Sequence, residues 1–310
     1  MFNQTDKRYN QYSEHLKNKF GVKVYKITLD AGFSCPNRDS TISSGGCIFC
    51  DDGGSFSQAH SNLLTIEEQV EVGIETLSKR FKAKKYMSYF QAYSNTYKPV
   101  GELEKIYTSA LKHPDIVGLS IGTRPDCVDD KKLKLIAGFK DDYYTWVEYG
   151  LQSIHDKTLM TINRGHDFDC FLKAYEKTKE KGLNVCAHVI LGLPGETRDE
   201  MLQTAQKLAE LEVDGVKIHM LCALKGTKLS SLYEKGKISF MSEEDYIQTV
   251  CDFLEILPPK TTIHRLAGNG LSKDLIAPMW LGKKMDCLNR IDRELEKRNS
   301  YQGLNCKIMV

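Results

Sequence analysis

Three cysteines, Cys35, Cys47 and Cys50, fall in one glycine-rich polar stretch, SCPNRDSTISSGGCIFCDDGG, at residues 34–54. Their spacing is C-x11-C-x2-C, and no fourth cysteine follows within reach along the loop. Structural zinc takes four protein ligands, often as two close pairs. One pair plus one single fits it poorly, although His60 is the nearest spare nitrogen. A thiol-redox pair of the thioredoxin kind is expected to open a helix rather than sit in a loop. A four-iron, four-sulfur cube commonly takes four thiolates, so three would leave one iron with an open position for a small molecule. Gly45, Gly46, Gly53 and Gly54 would let the backbone fold tightly and aim amides at sulfur, which tunes a cluster's potential.

The other seven cysteines are scattered singly, and Cys186 and Cys222 read most simply as core thiols. With 310 residues and 41% apolar composition the chain can bury a full core, so disulfide staples are not needed. The N-terminus has no apolar signal region, and no hydrophobic run approaches the ~18 residues that span a bilayer. The expected location is the cytoplasm. Basic and acidic side chains nearly cancel, 43 against 41. The first thirty residues and the segment after Pro258 are nevertheless basic-rich, and would make a positive surface if the two ends meet.

These groups need a scaffold, and the hydrophobic period supplies one. Strand-like runs occur at 22–29, 86–93, 116–122, 144–150, 184–191 and 215–220. Helical spacing begins at Thr65, where Thr65 and Glu68 form a capping box, and again from Glu102, Asp129, Phe168, Thr197 and Ser242. Six β/α repeats imply parallel strands with right-handed crossovers, either a barrel or an open sheet, with ligands at the strands' C-terminal ends. Those exits carry the cysteine loop, QAYSNT, GTRPD, GLQS, LGLPGET and HMLCALKGT. Residues 1–257 thus read as the barrel with its N-terminal segment, and 258–310 as a helical extension packed on it.

The cysteine loop together with YFQAYSNTY, SIGTRPDC, EYGLQSIHDKTLMTINRGH, HVILGLPGET, KIHMLCALKGT and HRLAGNG through LIAPMWLGKK resembles the radical S-adenosylmethionine (SAM) superfamily. Within it the chain resembles the YhcC/YtqA-type (MnmL-like) branch, related to the Elongator catalytic subunit's radical domain and to oxygen-independent coproporphyrinogen oxidase. The resemblance implies a partial (β/α)6 barrel of the α/β class, with a helical C-terminal extension. It also implies a 4Fe-4S cluster on Cys35, Cys47 and Cys50, with SAM chelating the open iron. An electron from a donor protein would then release a 5'-deoxyadenosyl radical that abstracts hydrogen from substrate.

The implied SAM contacts are Gln152 to ribose, Arg164 to the methionine carboxylate, and Glu148 to ribose or the amine. Thr123, Arg124 and His188 stand where some relatives bind ribose, and Gln91, Ser94 and Asn95 replace a glycine-glycine-glutamate motif. Gly192 and Gly195 would admit the adenine or tighten a turn. Each has a structural alternative: Arg164 capping a helix, Glu148 pairing with a barrel lysine, His188 a core histidine.

The branch further implies a tRNA substrate, with the carboxymethylaminomethyl group of the wobble uridine converted to aminomethyl for a separate, downstream methyltransferase. Such a substrate needs cations for phosphate and an aromatic mouth for a base. Lys17, Lys19, Lys283, Lys284 and Arg290 are candidates for the first, and Tyr93, Tyr97, Tyr149 and His219 for the second. His264 and Arg265 would touch SAM or substrate. Two alternatives remain: a coproporphyrinogen-oxidase-like enzyme on a small organic acid, and a non-catalytic RNA-binding protein braced by metal.

Overall fold

The computed structural model describes residues 7–51, 64–268 and 274–307; His60, Gly53 and Gly54 lie outside them. Strand and helix alternate along the chain: α1 (Tyr12–Phe20), β1 (Val24–Leu29), α2 (Ile66–Phe81), β2 (Lys85–Phe90), α3 (Val100–Leu111), β3 (Ile116–Thr123), α4 (Asp130–Ala137) and β4 (Tyr144–Gln152). The short α5 (Asp156–Thr161) and α6 (Phe168–Glu180) lead to β5 (Asn184–Leu191), α7 (Arg198–Glu210) and β6 (Gly215–Met220). After them come β7 (Ala223–Leu224), α8 (Lys228–Glu234), α9 (Glu243–Ile256), β8 (Thr262–Arg265), β9 (Leu275–Ala277) and α10 (Lys284–Lys297).

Seven strands pair in parallel in the order β1-β2-β3-β4-β5-β6-β8, a curled half-barrel, and β7 pairs antiparallel with β9. The α/β barrel class is the one expected, but the strand count is one higher. The seventh strand is four residues long and follows Pro258-Pro259, too short to show a period. It places part of the segment read as an extension within the sheet itself. β2 also stops three residues before its expected end, because Tyr93 takes a positive φ of 61° that no strand accommodates.

Capping fixes the helix starts. Thr65 and Glu68 bond reciprocally at α2, and Thr197 and Glu200 repeat the device at α7. Alternation within each strand then sorts the side chains onto two faces. Leu119, Ile121, Val147, Tyr149, Val185 and Ile218 point outward to the helices, where they pack in one core with Tyr107, Leu133, Phe171, Leu208 and Phe253. The inward positions form layers. The lowest holds Val24, Met87, Trp146 and Cys186, closed from below by Tyr12 and Leu16 of α1. α1 also bridges the open seam of the half-barrel, touching both β1 and β8.

The two basic-rich segments do meet: Asn10 N donates to Gln302 Oε1 at 2.9 Å, and Gln302 N to the Arg8 carbonyl at 2.9 Å. Their cations do not form one surface at the mouth. Lys17 and Lys19 ride on α1 at the opposite end of the barrel, Lys17 paired with Glu14 and Lys19 over the Tyr144 ring. Arg290 is spent on Glu243 and Glu244. No helix among the described residues is long and apolar enough to cross a membrane.

Candidate active site

The cysteine loop leaves the end of β1 and is fastened to the segment after α5, INRGH. Asn163 Nδ2 donates to the Gly46 carbonyl at 2.8 Å and to Ser43 Oγ at 3.1 Å, and Ile48 N donates to the Ile162 carbonyl at 3.1 Å. In return Asn37 Nδ2 donates to the Asn163 carbonyl at 2.6 Å and lies 3.6 Å from Cys47 Sγ. Gly165, at φ 78°, makes this approach feasible, since a Cβ there would lie 2.4 Å from Asn37 Oδ1. Tyr97, expected at the mouth as a stacking ring, braces the loop through Thr41 Oγ1 at 2.9 Å.

All three thiols line one cleft of about 310 Å³ at the C-terminal ends of the strands. Among the described residues the donors that reach sulfur are side chains. Arg164 Nη1 stands 3.5 Å from Cys47 Sγ and Arg38 Nη1 3.7 Å from Cys50 Sγ. The expectation of backbone amides from the glycine pair is corrected here for Gly46, whose N–H goes to the Asn37 carbonyl at 2.8 Å. Asn37 and Arg38 were missed in the sequence reading. Their one signal is position, two polar residues placed just after Cys35.

Around the thiols, Arg124 holds Asp126 with a two-point fork, Nε to Oδ1 at 2.8 Å and Nη2 to Oδ2 at 2.5 Å, and its Nη1 donates to the Arg164 carbonyl at 2.8 Å. Arg164 in turn binds the Gly150 carbonyl at the bulge that ends β4. Gln152 there has φ 78°, strained for a residue with a Cβ and typical of functional sites. Gln91, Ser94, Thr123, Arg124, Gln152 and Arg164 all face the cleft. Ser94 Oγ is buried with no oxygen or nitrogen partner among the described residues, and it lies beside the Cys127 thiol. Thr123 Oγ1 shares a hydrogen bond with Thr96 Oγ1 at 2.7 Å.

Two expected contacts lie behind that lining. Asn95 is fully buried, its Nδ2 donating to the Gly122 carbonyl at 2.7 Å, so it fastens the end of β3. Gly192 sits against Met241 and Met201 instead of opening onto the cleft. Tyr149 is a third correction. It follows Glu148 in a strand and so faces the other way, its hydroxyl meeting Thr178 Oγ1 at 2.7 Å in the outer core. Cys222 differs in the opposite sense. It borders the cleft, with burial pushing its thiol up to about 11, whereas Cys186 is a core thiol as read.

At the inner end of the cleft the middle layer is charged, and Glu148 and His188, both implied SAM contacts, line the cleft there with Lys217. The Glu148 carboxylate is wholly buried. Oε1 takes Lys26 and Ser120, the latter at 2.5 Å; Oε2 takes His188 Nε2 at 2.7 Å and Lys217 Nζ at 3.4 Å. Burial alone would raise its pKa, but Lys26, Lys217 and His188 hold it well below the usual carboxylate range. Burial, then the Lys217 charge, brings His188 down to about 4. Burial and the Lys26 charge likewise hold His264 low; its ring stacks on Tyr12 at 3.7 Å between centroids, away from the cleft. Glu148 and His188 therefore meet each other, and of the readings open for Glu148 the structure displays the lysine pair.

The fold, the cleft at the strand ends and three thiols with cationic and amide donors aimed at sulfur together define an iron-sulfur enzyme site. The thiolate-friendly donor set fits a cluster held by three ligands. The Radical SAM superfamily model matches residues 38–208, and the Radical_SAM C-terminal domain model matches residues 213–297. The chain belongs to the radical SAM superfamily, and its cofactors are a 4Fe-4S cluster and SAM.

Within that superfamily it is a YhcC/YtqA-type member related to Elongator. It is 45% identical to the protein YtqA of Bacillus subtilis over 97% of this chain and 94% of that one. It is 28% identical to a tRNA uridine(34) acetyltransferase of Methanocaldococcus infernus over 68% of this chain, but spans only 38% of that protein. The solved structure of Elp3 from the same archaeon, shortened at its N-terminus, superposes with a TM-score of 0.67 at 19% identity. That match covers 90% of this chain and 64% of the other.

Proposed function

We propose that this radical SAM enzyme acts on tRNA at the wobble uridine, where the carboxymethylaminomethyl side chain becomes aminomethyl. In this reading Cys35, Cys47 and Cys50 hold the cluster, and Arg164, Gln152, Thr123, Ser94 and Gln91 receive SAM. Arg124 and Asp126 act as positioning residues by fixing the Arg164 backbone. When bound, the cluster and SAM supply a primary carbon radical on demand. The protein's own contribution is to exclude water, orient the substrate and keep the reactive carbon between cofactor and target.

The observation that carries the reading is one continuous cleft with two unlike walls. The thiols and SAM contacts occupy the wall from β1 to β5; β6, β8, β9 and the segment before α10 build the other. His219 and Arg265 offer a ring and a charge at that second wall, Tyr93 adds a ring on the first, and exposed Lys283 follows the lining residue Leu281 by two positions. The relationship to the tRNA uridine(34) acetyltransferase supports a uridine as the group received there. An electron donor and a methyltransferase acting on the exposed amine complete the proposed pathway.

The test is nucleoside mass spectrometry of tRNA from cells with and without the gene. The expected result is accumulation of the carboxymethylaminomethyl form and loss of the aminomethyl form in the deletion strain; identical profiles would overturn the reading. tRNA retention that weakens steeply with salt separates it from an enzyme acting on a free organic acid. Dithionite-dependent 5'-deoxyadenosine formation excludes a metal-braced binding protein.

A further inference from the structure

The inner end of the cleft carries more positive charge than its protein partners neutralise. Three cations, Lys26, Lys217 and Arg265, surround one buried carboxylate, Glu148, in the middle layer and just above it. The neighbouring histidines add no compensation and no further charge. His188, His219 and His264 are all held neutral near pH 7, in each case first by burial and then by an adjacent cation. Glu148 has no capacity left, because both its oxygens are taken.

Two of the cations face the cleft. Lys217 is 5% exposed and gives one of its three donors to Tyr89 Oη at 2.6 Å. Burial, against the pull of Glu148 and with Arg265 and Lys26 repelling, brings its pKa down to about 8. Arg265 lines the same space and makes no hydrogen bond or ion pair among the described residues. His219, between them along the wall, also lines the cleft. The rest of this wall is apolar, with Leu221, Leu224, Leu275 and Leu281. A charge in such surroundings is costly unless it is paired, and its attraction for an anion is correspondingly large.

We propose that Arg265 and Lys217, with His219 beside them, form a subsite for a carboxylate on the substrate. A guanidinium fork and an ammonium converging on one apolar-walled space match a carboxylate by charge and by geometry. Naming this anion as the acid end of the carboxymethylaminomethyl group rests on the tRNA reading above; the cation pair itself does not. The subsite would anchor the group that leaves and set its methylene at the boundary between the two walls. It would also discriminate against a uridine side chain that lacks the acid.

The experiment uses the full chain with its cluster reconstituted, free of oxygen and reductant and saturated with SAM, titrated calorimetrically with N-phenylglycine and with its methyl ester. The acid is expected to bind about tenfold more tightly than the ester, the range of one charge-assisted contact. Arg265→Gln should erase most of that preference, and Arg265→Lys should restore part of it. Cluster absorbance and SAM affinity in both variants confirm that the cleft is intact. Equal binding of acid and ester, no binding of the acid, an undiminished preference in Arg265→Gln, or displacement of the acid by SAM would each overturn the subsite. The nucleosides carboxymethylaminomethyluridine and aminomethyluridine, titrated alongside, separate the two claims. If N-phenylglycine discriminates but the nucleosides do not, the subsite stands and the tRNA reading falls.

Discussion

At the cysteine end of the cleft, backbone and side chains are tied to one another. Asn163, Asn37, Arg164 and Arg124 each reach across from one segment to the next, and the arginine charges already have Asp126 and sulfur beside them. At the inner end strand pairing fixes the backbone and Glu148 gathers side chains from the neighbouring strands, but the cations outnumber that one carboxylate. The contrast follows from where each end sits. A loop has no ladder of its own and must be held by side-chain bonds, whereas an inward-facing strand residue is positioned by its neighbours and can keep its charge in reserve. Damage to the first end should therefore appear as lost cofactor, and damage to the second as lost stability and altered substrate binding.

The largest effect expected is Cys47→Ala. Cys47 is buried and its sulfur receives both Arg164 and Asn37. Removing it should abolish 5'-deoxyadenosine formation and deplete cluster iron, while circular dichroism and the urea midpoint of the apoprotein stay close to wild type. Undiminished cleavage would refute the ligand assignment. Next comes Glu148→Ala, which strands Lys26 and Lys217 in the barrel. Breaking a buried pair in this way costs about 3–5 kcal/mol, to be read from urea unfolding. Adding Lys26→Met should recover part of it; a loss under about 1 kcal/mol would contradict the charge count given for the middle layer.

The same layer should make the protein acid-sensitive. His188, with a pKa lowered from 6.5 to about 4, binds its proton more readily in the unfolded chain. Stability from this group is full above pH 6.5 and drains away as the pH falls toward 4. His264 acts in the same sense. Glu148, lowered from 4.5, adds a further loss only below about that pH. Urea midpoints measured from pH 7.5 downward should begin to fall near 6.5. His264→Phe keeps the ring against Tyr12 and should flatten the slope by up to one proton; an unchanged slope would remove His264 from this account.

How much of this was legible in the sequence varied with the range of the interaction. Cys35, Cys47 and Cys50 announced themselves by spacing, and Thr65 with Glu68 by a local capping rule. The fold class followed from alternation of periods. Tyr149 was misplaced although its parity against Glu148 was readable, since adjacent strand residues face opposite ways. A lysine partner for Glu148 was among the readings, but that it is Lys26 was not readable, because the pair joins residues 122 apart through two intervening strands. Nor was the positive φ of Gln152, which arises where β4 slips register against β5. β8 escaped because four residues carry no period, and with it went the reason for Arg265 to enter the cleft.

The smallest effect sharpens the contrast between the two ends. Gly165→Ala puts a methyl where Asn37 Oδ1 lies 2.4 Å away and asks a residue with a Cβ to hold φ 78°. The strain should cost about 1–2 kcal/mol. Because Asn37 carries the contact to Cys47, cluster iron should fall as well, measured per chain after reconstitution. The acid slope set by the middle layer should not change. Combining Gly165→Ala with Asn37→Ala relieves the collision, so stability should partly return while iron retention does not, the Asn37 amide being gone. Recovery of both together would mean that Asn37 only fills space, and that the clamp between the cysteine loop and INRGH rests on Asn163 and Arg164 alone.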